Sequence, residues 1–242
     1  MHRPTVLVHG GWCGGWHWDP VAERLRARGL VVHTPTLTGM AERESEARAE
    51  TNLRTHIDDV VQVLEEGGLT ETVLVGHSYG GAVVTGAANL CPERLAAVIV
   101  LDGFVPNAGE SLADILGPDF VAATRLAAER AGTPYLIPPL FGVEETTGWT
   151  GARAAAHAAR LCRQPMGTAF DPMPAPRIGA PPVTRVYVAC KQQSLGLFER
   201  YADAARQSPH WAFFELPSPH DAVHAMPAVV AGIVAAYAEH TE

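Results

Sequence analysis

The chain has few cysteines and no long apolar run, and both shortages exclude classes of protein. Four cysteines are scattered among 242 residues, without a C-x-x-C pair or the spacing of a zinc finger: Cys13, Cys91, Cys162 and Cys190. Such cysteines are typical of reduced structural thiols in the cytoplasm, where we expect the protein to reside. No apolar run approaches the roughly 18 residues that a membrane-spanning helix needs. The N-terminal residues enter an apolar run without the charged-then-apolar pattern of a signal peptide.

Basic residues are also fewer than acidic residues. The chain has 18 Lys and Arg against 26 Asp and Glu, for a formal net charge of −8. A nucleic-acid-binding protein needs a basic patch, so we expect no nucleic-acid partner, and nothing in the sequence indicates a membrane partner. The length can bury the core of one α/β domain with a small insertion. The expected partner is therefore a small-molecule substrate, and the oligomeric state stays open.

Short apolar runs alternate with helical patterns along most of the chain. The six strand-like runs are Thr5–Val8, Leu30–Thr34, Thr72–Val75, Ala97–Leu101, Val183–Ala189 and Ala212–Leu216. Most are apolar throughout, as are strands buried on both faces of a parallel sheet. The helical patterns between and after them are Pro20–Arg28, Asn52–Glu66, Ser194–Gln207 and Pro227–Glu239. This alternation predicts an α/β fold with a doubly wound, mostly parallel sheet of about six strands.

The alternation breaks between about residues 103 and 182. This segment is proline-rich, has an alanine-rich helical piece at Ala152–Leu161, and carries scattered aromatic residues at Phe120, Tyr135, Phe141, Trp149 and Phe170. It shows no strand-like run, so we expect a helical cap inserted within a single domain that spans residues 1–242. A cap over the carboxyl edge of the sheet would cover a ligand site there. The alternative is a helical surface excursion without a role in substrate binding.

The segment Gly76-His77-Ser78-Tyr79-Gly80 follows an apolar run and precedes a stretch of small residues. The pattern G-x-S-x-G in this context is typical of a nucleophile elbow, a strained turn that lifts a serine above the end of a sheet. Glycines on both sides of Ser78 are expected, because such a turn leaves no room for a Cβ. Ser78 is therefore the candidate nucleophile. A glycine-rich turn with an incidental serine is the alternative.

A serine nucleophile needs a general base, which in folds with this elbow comes late in the chain. His220 follows the last strand-like run, on a loop that precedes a helix, and is the candidate base. His224 comes four residues later, a spacing typical of metal ligands. No third ligand lies nearby in the sequence, so we expect no metal and no cofactor. His210 is expected at the surface, whereas His9 and His77 are expected to pack and hydrogen-bond.

The glycine-rich run after the first strand supplies backbone donors for an oxyanion. The amide of Gly11 can point at the developing charge, and the amide of Tyr79, the residue after the nucleophile, is the expected second donor. Gly10, Trp12 and His77 flank these donors and are expected to line the substrate site. A dinucleotide-binding loop is rejected, because the spacing does not match G-x-G-x-x-G followed by an acidic ribose contact.

These segments resemble the α/β-hydrolase superfamily, and more closely its branch of methylesterases and hydroxynitrile lyases with their bacterial relatives. The similar stretches are V-L-V-H-G-G-W-C-G-G-W-H-W (6–18), V-L-V-G-H-S-Y-G-G (73–81), L-D-G-F-V-P (101–106) and P-H-D-A-V-H-A-M-P (219–227). The resemblance covers the chain except the cap. It implies Ser78 as nucleophile, His220 as base and the amides of Gly11 and Tyr79 as oxyanion hole.

Two departures from the resembling enzymes favour ester-type hydrolysis over cyanohydrin cleavage. The lyase members carry a threonine and a lysine where this chain has Gly10 and Asp221, so nothing here would stabilise cyanide. Epoxide hydrolases and dehalogenases need an aspartate where Ser78 stands, and both are disfavoured.

A third departure concerns the acid that orients the histidine. In the resembling family this acid follows the penultimate strand, and the alignment places Gln193 there, with no Asp or Glu from Ala175 through Phe198. A glutamine can accept a hydrogen bond, but it cannot offset the charge of an imidazolium. Asp102 ends the strand next to the elbow strand and is the expected replacement. The alternative is that Asp102 caps the start of the cap segment.

We expect a serine hydrolase that cleaves a carboxylic ester, thioester or lactone of a small, largely apolar molecule through an acyl-enzyme. Two other functions stay open. Without a proper acid, Ser78 and His220 would act as a proton-transfer pair in a lyase, cyclase or isomerase. A degenerate hydrolase fold would instead serve as a small-molecule binding protein. Richness in alanine, arginine and proline indicates, on composition alone, an enzyme of secondary metabolism.

Overall fold

Eight strands are present in the computed structural model, which describes residues 2–179, 181–192 and 195–239. They are β1 Thr5–Val8, β2 Val32–His33, β3 Thr72–His77, β4 Leu95–Leu101, β5 Leu136–Ile137, β6 Gln164–Pro165, β7 Thr184–Cys190 and β8 Trp211–Leu216. Six of them form one parallel sheet in the spatial order β2-β1-β3-β4-β7-β8. Strands β5 and β6 form a separate antiparallel pair.

Helices occupy most of the connections between strands. They are α1 Asp19–Ala27, α2 Leu53–Glu66, α3 Tyr79–Leu90, α4 Leu112–Arg130, α5 Val143–Thr147, α6 Gly151–Ala158, α7 Glu199–Gln207, α8 Ala222–Ala225 and α9 Pro227–Ala238. Among the described residues, none of these helices combines the length and the apolar character that a membrane span requires.

The helices cover both faces of the sheet, because successive side chains of a strand point to opposite faces. On β3, Leu74 packs in one core with residues of α2, α3 and α7, whereas Val73 and Val75 pack in a second core with residues of α1 and α9. Both β1 and β3 are buried along their whole length. The predicted α/β fold with a doubly wound, six-stranded parallel sheet is confirmed.

The ends of most predicted elements agree with the structure to within two residues. Strand β2 is shorter than its predicted range of Leu30–Thr34, because as the edge strand it pairs only with Thr5 and Val6 of β1. Helix α7 begins five residues later than predicted. Its predicted start, Ser194, lies outside the described residues.

Residues 102–183 connect β4 to β7 and contain α4, α5, α6 and the β5-β6 pair. The prediction that this segment holds no strand is therefore wrong. Leu136 lies opposite Pro165 and Ile137 opposite Gln164, and strands of two residues are too short to show an alternating pattern. Helix α4 is kinked at Gly117, whose φ is 81°, directly before Pro118. Proline disfavours the helical conformation at the residue that precedes it, which explains the kink.

Candidate active site

Ser78 lies on a strained turn between β3 and α3, with φ 55° and ψ −120°. The flanking glycines allow this turn. A Cβ on Gly76 would lie 2.3 Å from the carbonyl oxygen of Gly80, and one on Gly80 would lie 2.6 Å from that of Val8. Both separations are shorter than any tolerated contact, so only glycine fits at either position. The elbow geometry predicted from the sequence is present.

His220 lies on the loop between β8 and α8, and its ring contacts Asp102 at the end of β4. Nδ1 of His220 donates to Oδ2 of Asp102 at 2.7 Å, and both side chains are buried. The other carboxylate oxygen accepts from the amide of Cys190 at 3.1 Å. Since Nδ1 carries the proton in this contact, Nε2 is the ring nitrogen with a free electron pair. The geometry suits a histidine that acts as a base while a carboxylate orients it.

Asp102 has two predicted roles: the acid that orients His220, or a cap for the start of the inserted segment. Both carboxylate oxygens bond to groups outside the inserted segment, His220 and Cys190, which favours relocation of the acid over capping of that segment. The backbone of Asp102 has φ 39°, and its amide donates to the carbonyl of Val188 at 2.7 Å. Gln193, which the alignment places at the usual position of the acid, lies outside the described residues.

Two aromatic neighbours hold the His220 ring in place. Nε2 of His77 donates to the backbone carbonyl of His220 at 3.0 Å. Phe198 stacks on the His220 ring, with the centroids 5.0 Å apart and the planes 7° from parallel. Burial, together with the neighbouring His220 and His17 rings, holds the pKa of His77 well below its usual range. His77 is therefore a neutral donor that fixes the loop of His220, and its predicted contact with substrate stays a prediction.

The glycine-rich loop after β1 lies directly beside the elbow. A Cβ on Gly10 would lie 3.2 Å from Cβ of Ser78, and one on Gly11 would lie 3.9 Å from Cβ of Tyr79. Gly10 therefore packs closely against the nucleophile, and Gly11 lies in ordinary contact distance of the next residue, Tyr79. The structure brings together the two residues whose amides are the predicted oxyanion donors, Gly11 and Tyr79, at one end of the sheet.

Trp12 joins this loop to the inserted segment. Its indole Nε1 donates to the carbonyl of Ile137 at 3.2 Å, and its own carbonyl accepts from the amide of Cys162 at 2.8 Å. The indole ring also packs edge-on against Phe141, with the centroids 5.7 Å apart. Trp12 thus lines the cavity and connects the inserted segment to the loop of Gly11, and its predicted contact with substrate stays a prediction.

His56 is a buried residue of the site that sequence reasoning missed. Its Nε2 donates to the carbonyl of Thr38 at 2.8 Å, which leaves Nδ1 to accept from the Tyr79 hydroxyl at 2.8 Å. Burial lowers the pKa of His56 to about 4, so the ring is neutral at pH 7. The side chain that follows the nucleophile is anchored in this way. A histidine on the buried face of α2, beside Leu53 and Ile57, was the available signal.

Ser78 and His220 line one cavity between the sheet edge and the inserted segment. Most of its wall is apolar, and the inserted segment contributes much of it: Phe104, Leu112, Leu116, Phe120, Ile137 and Phe141. Of the five aromatic residues predicted to belong to the cap, only Phe120 and Phe141 reach the cavity. Trp149 packs on His157 and His224, and Phe170 contacts Arg125.

The sequence model of the Alpha/beta hydrolase family matches residues 5–233. The chain belongs to the alpha/beta hydrolase family.

Curated relatives of this hydrolase include several esterases. A carbendazim hydrolyzing esterase from Nocardioides sp. (strain SG-4G) is 32% identical, over 96% of this chain and 98% of the relative. Putative methylesterase 14, chloroplastic, from Arabidopsis thaliana is 30% identical over 52% of this chain, which covers 37% of the plant protein. These matches confirm the predicted family and the predicted enzyme class, an α/β-fold hydrolase of the esterase kind.

Solved structures show the same fold as this hydrolase. An extracellular alpha/beta-hydrolase from a Paenibacillus species superposes with a TM-score of 0.84 at 21% identity, over 98% of this chain and 100% of the other. Tomato Methylketone Synthase I complexed with 2-tridecanone gives a TM-score of 0.77 at 18% identity, over 98% and 99% of the two chains. At these identities the likeness concerns the fold alone.

A group of three residues, here called the His-Asp-His cluster, lies next to His220: His17, Asp221 and His224. Their potential ligand atoms all lie within 4.8 Å of one another. Burial alone would raise the pKa of Asp221, but the two histidines that contact it hold that pKa well below its usual range. The fold brings His17 beside His224 from more than 200 residues earlier in the chain, which the sequence spacing does not reveal. The expectation of no bound metal stays a prediction.

His9 packs and hydrogen-bonds and His210 lies at the surface, as predicted, and the four cysteines are unpaired. Nδ1 of His9 donates to the carbonyl of Gly10 at 2.8 Å, and Nε2 accepts from the amide of Leu37 at 3.1 Å, while burial lowers the pKa of His9 to about 3. His210 is exposed in the turn before β8. All four cysteines are free, and burial raises the pKa of the Cys91 and Cys162 thiols to about 11.

Proposed function

We propose that this hydrolase cleaves a carboxylic ester by a serine mechanism in which Ser78 is the nucleophile, His220 the base and Asp102 the acid that orients it. The observation that carries the proposal is the 2.7 Å contact of Asp102 with His220, a residue that lines the same cavity as Ser78. Asp102 supplies the charge that a glutamine at the usual position cannot supply. An esterase relative that is 32% identical over nearly the whole chain supports the same reaction.

In the first step, Nε2 of His220 takes the proton of the Ser78 hydroxyl as the oxygen attacks the ester carbonyl. The carbonyl oxygen becomes an oxyanion, which accepts hydrogen bonds from the amides of Gly11 and Tyr79. The imidazolium then returns its proton to the departing alcohol, and an acyl-enzyme remains on Ser78. Water, deprotonated by His220, attacks the acyl carbon and releases the acid with the serine restored.

Asp102 acts on this sequence through charge and orientation. His220 becomes positive in both transition states, and the buried carboxylate against Nδ1 stabilises that charge. The same contact keeps the proton on Nδ1, so that Nε2 faces the reaction as an acceptor. Because the side chains of Asp102 and His220 are both buried, each of these electrostatic contributions is larger than it would be in solvent.

The substrate we propose is a small ester with a largely apolar acyl or aryl group. Side chains such as Phe120, Phe141 and Leu116 line the cavity opposite Ser78. They come from the inserted segment of residues 103–182, which we propose acts as a cap within a single domain. The relative named for carbendazim hydrolysis supports a small-molecule substrate for this chain.

Labelling with a fluorophosphonate probe tests the proposal. We expect rapid, stoichiometric modification at Ser78, with turnover of short-chain p-nitrophenyl esters that is abolished in Ser78→Ala. The matched control is Ser208→Ala, at a half-buried serine in the turn before β8, away from the cavity. Sluggish labelling without ester turnover would contradict hydrolysis and favour proton-transfer chemistry or ligand binding.

We further propose a cytoplasmic location and a role in secondary metabolism. Four free cysteines, of which Cys13, Cys91 and Cys190 are buried, support a reducing compartment. Relatives carry names that place them outside the cell or in chloroplasts, so location varies among them. Fractionation of the native source with an antibody to this chain is the test, and enrichment in the culture supernatant would contradict a cytoplasmic location.

A further inference from the structure

The His-Asp-His cluster has the contacts of a potential cation site. Nε2 of His17 lies 3.3 Å from Oδ1 of Asp221, and Nδ1 of His224 lies 2.9 Å from Oδ2 of the same carboxylate. The side chains of His17 and Asp221 are 2% and 4% exposed, and that of His224 is 12% exposed. The ester hydrolysis proposed above uses none of these three side chains.

We propose that the His-Asp-His cluster binds a divalent transition-metal cation of the Zn²⁺ class, and that the bound cation slows hydrolysis. The second part rests on the proposed function. Two imidazoles and one carboxylate are a donor set that suits Zn²⁺, Co²⁺ and Ni²⁺, whereas Ca²⁺ and Mg²⁺ prefer oxygen donors alone. Three protein ligands leave the fourth position of a tetrahedral ion for water or another donor.

The spacing of the donor atoms already approaches that of a metal site. In a tetrahedral Zn²⁺ site with bonds of about 2.1 Å, ligand atoms are about 3.4 Å apart. The two direct contacts, at 3.3 and 2.9 Å, are close to this separation. Asp221 is fixed as well, because its amide donates to the carbonyl of Thr146 at 2.9 Å and its Oδ1 accepts from the amide of His224 at 3.2 Å. Small side-chain rotations suffice to admit the ion.

The contacts of His17 and His224 are compatible with a bound cation. Nδ1 of His17 is buried and has no hydrogen-bond partner in the described part of the chain. A neutral His17 can therefore carry its proton on Nδ1 and direct the electron pair of Nε2 to an ion. The Trp149 ring packs on His224 at 5.5 Å between centroids, an apolar enclosure of the kind that surrounds metal sites.

His157 is a further potential donor beside the His-Asp-His cluster. Its ring meets that of His224 edge-on, with the centroids 5.0 Å apart, and it lines the same cavity as Ser78. It stands where it can supply the fourth ligand once the ion is bound. An exchangeable water molecule is the other occupant that this position admits.

The cation would slow hydrolysis through its charge. His17 and Asp221 line the cavity of Ser78 and His220. The His77 ring lies between the two sites, with its centroid 5.1 Å from that of His17 and 4.6 Å from that of His220. His220 becomes positive when it takes the serine proton. A divalent charge on the other side of the His77 ring, in a buried site, disfavours that step. Inhibition should therefore appear in kcat.

Binding is measured on the full chain carrying Ser78→Ala, so that the result does not depend on hydrolysis. After EDTA treatment the protein is titrated with Co²⁺ and followed by visible absorption. We expect one Co²⁺ per chain in a site of low coordination number, with affinity weakened at least about tenfold by a further His224→Asn change. His210→Asn, at an exposed histidine, is the matched control and should bind like the parent. Equal binding by all three proteins, or no stoichiometric binding, would overturn the site.

Two measurements on the unsubstituted protein need no variant to fold. X-ray absorption at the zinc edge of the Zn²⁺-loaded protein should show scattering from at least two imidazoles, and its absence would overturn the ligand assignment. Zn²⁺ should also lower ester turnover at least about tenfold, with recovery on addition of EDTA. Binding without loss of turnover would overturn the inhibitory role alone. A protein that binds Co²⁺ but never turns over esters would instead contradict the proposed function.

Discussion

Oδ2 of Asp102 and Nδ1 of His220 lie 2.7 Å apart, although the strands that precede them, β4 and β8, are not neighbours in the sheet. Strand β7 runs between them, and the amide of Cys190, the last residue of that strand, donates to the second oxygen of Asp102. The carboxylate therefore lies over the end of β7, where the resembling enzymes carry their acid. It reaches that place from the neighbouring strand.

Asp102→Asn should lower kcat for ester hydrolysis by on the order of 10⁴, because an amide can hold the wrong tautomer of His220 and cannot stabilise its positive charge. Steady-state kinetics with a p-nitrophenyl ester measure the effect. Asp119→Asn, at an exposed aspartate of α4, is the matched control and should leave kcat unchanged. Turnover of Asp102→Asn close to that of the unsubstituted enzyme, with Ser78→Ala inactive, would show that Asp102 is not the acid.

Tyr79→Phe should destabilise the fold by about 1–3 kcal/mol, since Nδ1 of His56 would stay buried without its donor. For a chain of this size that corresponds to a fall in Tm of about 2–4 °C for each kcal/mol. Thermal unfolding followed by circular dichroism gives the number. A lower kcat should accompany it, because the amide of residue 79 loses its anchor. Tyr135→Phe, at a tyrosine that is 40% exposed, serves as the control, and equal melting of the two variants would contradict the prediction.

Gly80→Ala should destabilise the enzyme by about 1–3 kcal/mol, because the new Cβ would meet the carbonyl oxygens of Val8 and His9 at 2.6 and 2.7 Å. Gly232→Ala offers the opposite case on α9, where an added Cβ meets nothing within 4 Å. That change should stabilise by about 0.5–1 kcal/mol. Urea unfolding of both variants tests the pair, and a stable, active Gly80→Ala enzyme would rule out the close approach at the elbow.

Stability should fall as the pH drops from 6.5 to 5. Burial lowers the pKa of His9 to about 3 and that of His56 to about 4, so in this window the unfolded chain binds protons that the folded chain does not. The free energy of unfolding therefore decreases by about 2 kcal/mol for each of these histidines. The depressed pKa of Asp221 acts at lower pH, where its stabilising contribution is lost as the carboxylate becomes protonated.

Urea unfolding at several pH values, with His56→Gln beside the unsubstituted enzyme, separates these contributions. The variant should show a shallower dependence on pH between 6.5 and 5, because one buried titrating group is gone. An equal slope in both proteins would mean that His56 does not bear on acid stability.

Strands and the elbow could be predicted because their signals are local. Apolar runs such as 72–75 are buried on both faces, and the glycines around Ser78 reflect contacts with backbone only a few residues away or on the adjacent strand. Asp102 was found as a candidate because it ends a strand next to the elbow strand. Sequence alone left capping open, since the choice depends on where the His220 loop returns to the sheet.

The His-Asp-His cluster, the β5-β6 pair and the role of His56 could not be predicted for a common reason. Each depends on a contact between distant parts of the chain: His17 with Asp221, Leu136 with Pro165, and His56 with Tyr79. None of these contacts leaves a periodic pattern in the sequence, and strands β5 and β6 are too short to show one. Such contacts form only once the whole chain has folded.

Trp12 connects the proposed cap to the loop that carries Gly11. The residue next to Gly11 is tied to Ile137 through its indole, to Cys162 through its carbonyl and to Phe141 through ring packing. A substrate that displaces the proposed cap must also displace the loop that carries the Gly11 amide. We therefore expect an ester that is too large for the cavity to bind weakly and also to react slowly once bound. A variant that accepts larger esters would need a substitution at Trp12 in addition to substitutions in the cavity wall.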